Sequence, residues 1–134
     1  MLYSIGYQTL KTSAELVRVL KAHGIREVLD VRSKPYSHNR AFNRQALSAE
    51  LSTNGIGYRW TGDTLGGFTE IGEDAIHRLA NSVREDVPTC LLCMEADPER
   101  CHRKQEIARR LSAYGVAVRH LTDLYPATAK EDPV

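Results

Sequence analysis

Cysteine is scarce in this chain, and long apolar runs are missing altogether. The longest stretch without a formal charge is residues 1–10, several of them polar, where a membrane-spanning helix needs roughly 18 or more apolar residues. Membrane insertion is excluded on that count. The N-terminus also lacks the basic start and extended apolar core of a secretory leader, so a cytoplasmic protein is expected. Only Cys90, Cys93 and Cys101 are available for sulfur chemistry, too few for a disulfide-stapled scaffold, and in a reducing compartment they read as thiols. Catalytic signatures are absent too. There is no G-x-S-x-G elbow and no P-loop, which disfavours a Ser/His/Asp hydrolase and a nucleotide-triphosphate fold of that type. Cys93 and Arg100 do not have C-x5-R spacing, and no glycine-rich cradle lies between them, which disfavours a cysteine phosphatase.

What is present is ordinary for a globular chain: 42% hydrophobic and 26% charged residues, nine glycines and five prolines in 134 residues. Such a length suits one domain. A single α/β domain over 1–126 is expected, followed by a polar tail over 127–134. The net charge of +1 hides a segregation. Residues 30–60 carry five Lys/Arg against two acids, residues 98–110 again five against two, and residues 61–97 two against eight. An electropositive face able to hold an anion follows, with solvated charge as the plain alternative.

Apolar periodicity predicts the order β-α-β-α-β-α-β-α-β. The strands are expected at Tyr3–Gly6, Glu27–Arg32, Tyr58–Thr61, Thr89–Met94 and Ala117–Leu121. Thr12 to Glu15 spells a capping box, and Gly24 is placed to end that first helix. A loop from Ser33 to Asn43 precedes a helix over Arg44–Thr53. Ile76, Leu79, Ala80 and Val83 form the stripe of a third helix, and Ile107, Leu111 and Tyr114 that of a last one ending at Gly115. The fold class expected is α/β: a three-layer sandwich with a mostly parallel five-stranded sheet, Rossmann-like, helices on both faces, and strand order 3-2-1-4-5.

In such sheets ligands bind at the carboxyl ends of the strands, and the unusual residues gather there. Cys101, flanked by Arg100, His102 and Arg103 at a helix start, reads either as a reactive thiol or as a supporting one. Adjacent helical residues diverge by about 100°, which argues against a Cys101–His102 dyad. Cys90 and Cys93 spell C-x-x-C, but on a strand they face opposite sides. Cys93 and Glu95 share a face, so a site from Cys93, Glu95, Cys101 and His102 is geometrically conceivable, with metal ligation as its minor reading. No second Cys/His pair with zinc spacing exists, so neither a metal nor a cofactor is expected. Asp30 and Arg32 share a face, either as a structural pair or as an arginine held to grip an anion. Tyr7 and Ser33 stand beside them. The 33–43 loop mixes cations with Tyr36 and Phe42, a composition that suits single-stranded nucleic acid or an ordinary lid, while Tyr58 and Trp60 read as core.

Three ordered blocks, Asp30-Val31-Arg32-Ser33-Lys34-Pro35, Gly57-Tyr58 to Leu65-Gly66-Gly67, and Leu92-Cys93-Met94-Glu95 through Pro98 to Cys101-His102-Arg103, together resemble the family catalogued as domain of unknown function 488. The resemblance spans about residues 2–121. It implies a small cytoplasmic α/β domain with hallmark residues at Asp30, Arg32, Pro35, Gly66, Gly67, Cys93, Glu95, Cys101, His102 and Arg103, and no established reaction. The reading reached from the residues is an enzyme acting on a phosphate-bearing substrate, a nucleotide or nucleic acid. In it Arg32 and Arg103 clamp one shared anion, with Ser33, Tyr7 and Asp30 alongside, and Cys101, His102 and Glu95 supply the chemistry. The alternative is a noncatalytic nucleic-acid-binding module using the same basic edge.

Overall fold

The computed structural model describes residues 1–122. The boundary at 126 and the tail over 127–134 lie outside the described residues. The strands are β1 (Leu2–Gly6), β2 (Glu27–Asp30), β3 (Gly57–Trp60), β4 (Thr89–Cys93) and β5 (Val118–Leu121). Between them lie α1 (Ser13–Ala22), α2 (Arg44–Thr53), the short α3 (Gly62–Leu65) and α4 (Glu73–Ser82). A last helical run combines a π-helical stretch, Arg103–Ala108, an α-helical turn, Arg109–Leu111, and a 3-10 turn, Ser112–Tyr114.

Every strand pairing is parallel, and the order is β3-β2-β4-β1-β5. This corrects the expected 3-2-1-4-5: β4 lies beside β2, and β1 moves between β4 and β5. Both strands are continuously buried apolar runs at their centres, and right-handed crossovers are open to either order, so the pattern of residues does not separate them.

Alternation along the strands divides the core in two. Tyr3, Ile5, Val28, Cys90 and Leu92 pack with Leu16 and Leu20 of α1 and with Leu47 and Leu51 of α2. Leu2, Leu29 and Leu91 face the other way, against Leu65, Ile76, Leu79, Ile107 and Leu111. The result is the three-layer α/β sandwich, each fully buried leucine or isoleucine contributing roughly 1.5–3 kcal/mol. Among the described residues, no helix is long and apolar enough to cross a membrane.

Local chemistry explains the boundaries. Thr12 Oγ1 accepts from the Glu15 amide at 3.1 Å, and Glu15 reaches back to the Lys11 amide at 3.2 Å, one residue before the cap. Gly24 follows with φ +71°, the left-handed turn that ends the helix. β2 stops two residues earlier than expected, because the Arg32 amide turns to Asp30 Oδ1 at 3.1 Å. Phe42, expected in an open loop, sits fully buried in a 3-10 turn, Arg40–Phe42, its ring stacked on Tyr7 at 4.3 Å. Tyr114 is the reverse: it lies at the surface, bonded to Glu73 and stacked on His77, instead of in the inner stripe.

Candidate functional site

With β4 between β2 and β1, the carboxyl ends of all three strands stay contiguous. The Tyr7 and Gln8 amides donate to Cys93 and Met94 carbonyls at 3.1 and 2.9 Å, and the Val31 amide to Leu92 O at 3.0 Å. β1 leads into α1 on one face while β4 leads into the last helical run on the other. The chain thus diverges here, the setting in which open α/β sheets form crevices.

Cys93 points to the face opposite Cys90, as strand alternation requires. After it, Asp97 Oδ1 caps a 3-10 turn, Pro98–Arg100, by accepting from the Glu99 amide at 3.0 Å. The turn returns Cys101 to the side of Cys93. Cys101 is extended (φ −125°, ψ 143°), outside the helix, so the helical-divergence argument against a Cys101–His102 contact does not hold. Its Sγ lies 3.7 Å from His102 Nδ1. The donor atoms of Cys93, Cys101 and His102 all lie within 4.8 Å of one another.

His102 is held from two sides. Its Nε2 is 3.0 Å from both Val31 O and Leu65 O, and only an N–H satisfies two carbonyl oxygens. Nδ1 is therefore the nitrogen that faces sulfur. Gly67 closes over the ring, where a Cβ would lie 3.1 Å from Nδ1.

The electrostatics separate the thiols. A hydrogen bond from the Cys93 thiol is the main reason the Cys101 pKa is held well below its ordinary value; burial opposes this, and His102 with the Arg103 amide and charge assists. Donation to Cys101, with burial second, pushes the Cys93 thiol up. Burial favours a neutral His102 ring, but Cys101 and the two carbonyls outweigh it and its pKa is raised. Burial alone pushes the Cys90 thiol up, with Arg103 opposing.

Arg32 and Asp30 form a second, separate cluster. Arg32 Nε and Nη2 donate to the two Asp30 oxygens at 2.8 and 2.7 Å, and Nη1 donates to Tyr7 Oη at 3.0 Å. Tyr58 Oη also donates to Asp30, at 2.5 Å. Burial opposes the Arg32 charge, but Asp30 prevails and the pKa is raised. Burial and Asp30 both raise that of Tyr58.

Arg103 is fully buried. It donates to Ser4 Oγ at 3.1 Å, Glu95 O at 2.6 Å and Ala96 O at 3.3 Å. Ser4 shares its face with Leu2, whereas Asp30 shares its face with Val28. The two guanidinium groups thus occupy opposite faces of the sheet, each with all three nitrogens bonded to protein oxygens. The expected anion shared between Arg32 and Arg103 is corrected accordingly. The Glu95 carboxylate accepts from the Asp97 amide at 3.1 Å, and Ser33 Oγ accepts from Phe68 N at 2.9 Å beneath Gly66.

Sequence reasoning missed α3, whose Leu65 carbonyl anchors His102, and the Ser4–His120 hydrogen bond next to Arg103. It also placed Trp60 in the core. Trp60 is instead half-buried on edge strand β3, with the Arg44 guanidinium 4.8 Å over its ring, in an open groove of ≈ 1140 Å³ that Tyr36 and Arg59 also line. An edge position leaves one flank of that ring without a covering strand.

No curated protein and no solved structure matches the chain. The family model described as Domain of unknown function DUF488 matches residues 12–78 and 69–111, ranges that contain the Asp30–Arg32 pair, Gly67 over His102 and the Cys93–Cys101–His102 cluster, and the chain belongs to that family.

Proposed function

We propose that the protein is an enzyme acting on a phosphate-bearing substrate, a nucleotide or nucleic acid, with Cys93, Cys101 and His102 at its reactive centre and Glu95 at the rim. The observation that carries the reading is the meeting of two sulfurs and a tautomer-fixed imidazole at the carboxyl ends of β2 and β4. Packing alone has no use for such a group, whereas acid–base and thiol chemistry do. The excess of basic residues over 30–60 and 98–110 supports an anionic substrate. Exposed Lys34 and Arg100 are the cations available to meet it. Arg32, Asp30, Tyr7, Ser33 and Arg103 act as positioning residues that build the walls.

A noncatalytic nucleic-acid-binding module is the second reading, supported by Arg44 on Trp60 beside Tyr36 and Arg59. Product analysis with nucleotides and with single-stranded and duplex oligonucleotides tests both. Turnover lost in Cys101→Ala and His102→Ala supports the enzyme. Binding without turnover, unchanged in those variants, supports the module. Neither binding nor turnover for any of these probes overturns both.

A further inference from the structure

We propose that Cys93, Cys101 and His102 form a three-ligand site for a thiophilic divalent ion of the zinc class, with the fourth coordination position open. Three observations carry it. The donor atoms, Sγ, Sγ and an imidazole nitrogen, lie within 4.8 Å of one another, with Cys101 buried and its partners half-buried. Two thiolates and one imidazole form a donor set that such ions favour. The outer contacts also match those of a ligating histidine: Nε2 is tied to Val31 O and Leu65 O at 3.0 Å each, which leaves Nδ1 directed at the sulfurs. An imidazole that only filled space would need no such double anchor.

The lack of a second Cys/His pair with zinc spacing elsewhere in the sequence counts against a closed four-ligand structural site. It has no bearing on a site with three protein ligands, the arrangement in which a fourth position is kept for water or substrate. Binding displaces the remaining thiol protons to solvent. This inference deepens the enzymatic reading, because the same residues serve both. Metal binding is measured without substrate, so either can fail alone.

The test uses the full chain, reduced and metal-stripped under anaerobic conditions, titrated with Zn²⁺ against a chromophoric chelator and with Co²⁺ by absorption. One ion per chain is expected, with a thiolate-to-cobalt charge-transfer band. Cys93→Ser, Cys101→Ser and His102→Ala should each weaken affinity more than about a hundredfold, beyond the loss typical of an outer contact, while Cys90→Ser leaves it unchanged. Should the variants not fold, the wild type still decides: Zn²⁺ should slow alkylation of Cys93 and Cys101 in the native protein, while Cys90, fully buried in β4, reacts equally slowly with and without the ion. Absence of stoichiometric binding, a cobalt spectrum without the thiolate band, or equal loss in Cys90→Ser overturns the site.

Discussion

Arg32 and Asp30, two residues apart in the chain, form a bidentate ion pair with no more than 5% of either side chain exposed. Tyr7 and Tyr58 complete the bonding of both groups. Removing one charge strands the other, a loss of about 3–5 kcal/mol for buried pairs. Asp30→Asn is therefore expected to lower unfolding free energy by that order in urea titrations. A loss below about 1 kcal/mol would show that the pair is not a structural keystone.

Gly67→Ala probes the cluster without replacing any of its reactive side chains. The new methyl would meet His102 Nδ1 at 3.1 Å and Cγ at 3.3 Å, so the ring must turn on its Val31 and Leu65 anchors. Thermal stability should change by no more than about 1.5 kcal/mol, while Zn²⁺ affinity falls about tenfold or more. Parallel chelator-competition and melting measurements check this. Unaltered zinc affinity would mean that the ring orientation is not what holds the ion.

Cys101 should react with an alkylating agent faster than Cys90 in reduced, metal-free protein. Cys101 is held as thiolate beyond the carboxyl end of β4, whereas Cys90 lies within that strand with no exposure and its pKa is pushed up. Peptide mapping after short exposure near neutral pH gives the order. Preferential labelling of Cys90 would contradict it.

Burial and the nearby charge of Arg103 lower the pKa of His120 from its ordinary 6.5, while its Nδ1 is hydrogen-bonded to Ser4 Oγ. The unfolded chain takes up this proton as pH drops through about 6.5, and the native state resists until lower pH. The group's contribution is thus fully present above 6.5 and is lost as pH falls toward the folded value. His120→Asn, whose amide oxygen can keep the serine bond, should flatten the acid limb of stability measured by urea midpoints from about pH 5 to 8. Superimposable pH curves would reject the assignment.

Arg44→Gln should weaken single-stranded oligonucleotide binding and reduce its log–log salt slope by about one, the signature of one lost phosphate contact. Arg44 is exposed, so melting should not move. An identical slope would remove the groove from consideration.

The capping box, the strands and both apolar faces were legible because caps and alternation are local signals. The β1/β4 transposition was not, since two uniformly buried strands carry the same pattern. His102 illustrates a second limit. Its partners are backbone carbonyls of Val31 and Leu65, and no side-chain identity announces a carbonyl. Arg103 illustrates a third: its surroundings in sequence, Cys101-His102-Arg103-Lys104, resemble an anion site, yet it donates to the Glu95 and Ala96 carbonyls in the loop after β4. Gly6, the last residue of β1, gives no sign in the sequence of why it must be small. The reason for it is the Glu95 carbonyl, 1.7 Å from where a Cβ would stand.

The strand order also sets the tempo of assembly. Leu2 is paired with Thr89 on one side and Val118 on the other, so β1 has no neighbour in the sheet until β4 has been made. Only β2 and β3 meet across a short separation. Such distant closure raises contact order and slows folding. During synthesis the apolar β1 must stay unpaired, a window in which chaperone engagement or aggregation competes with the native sheet.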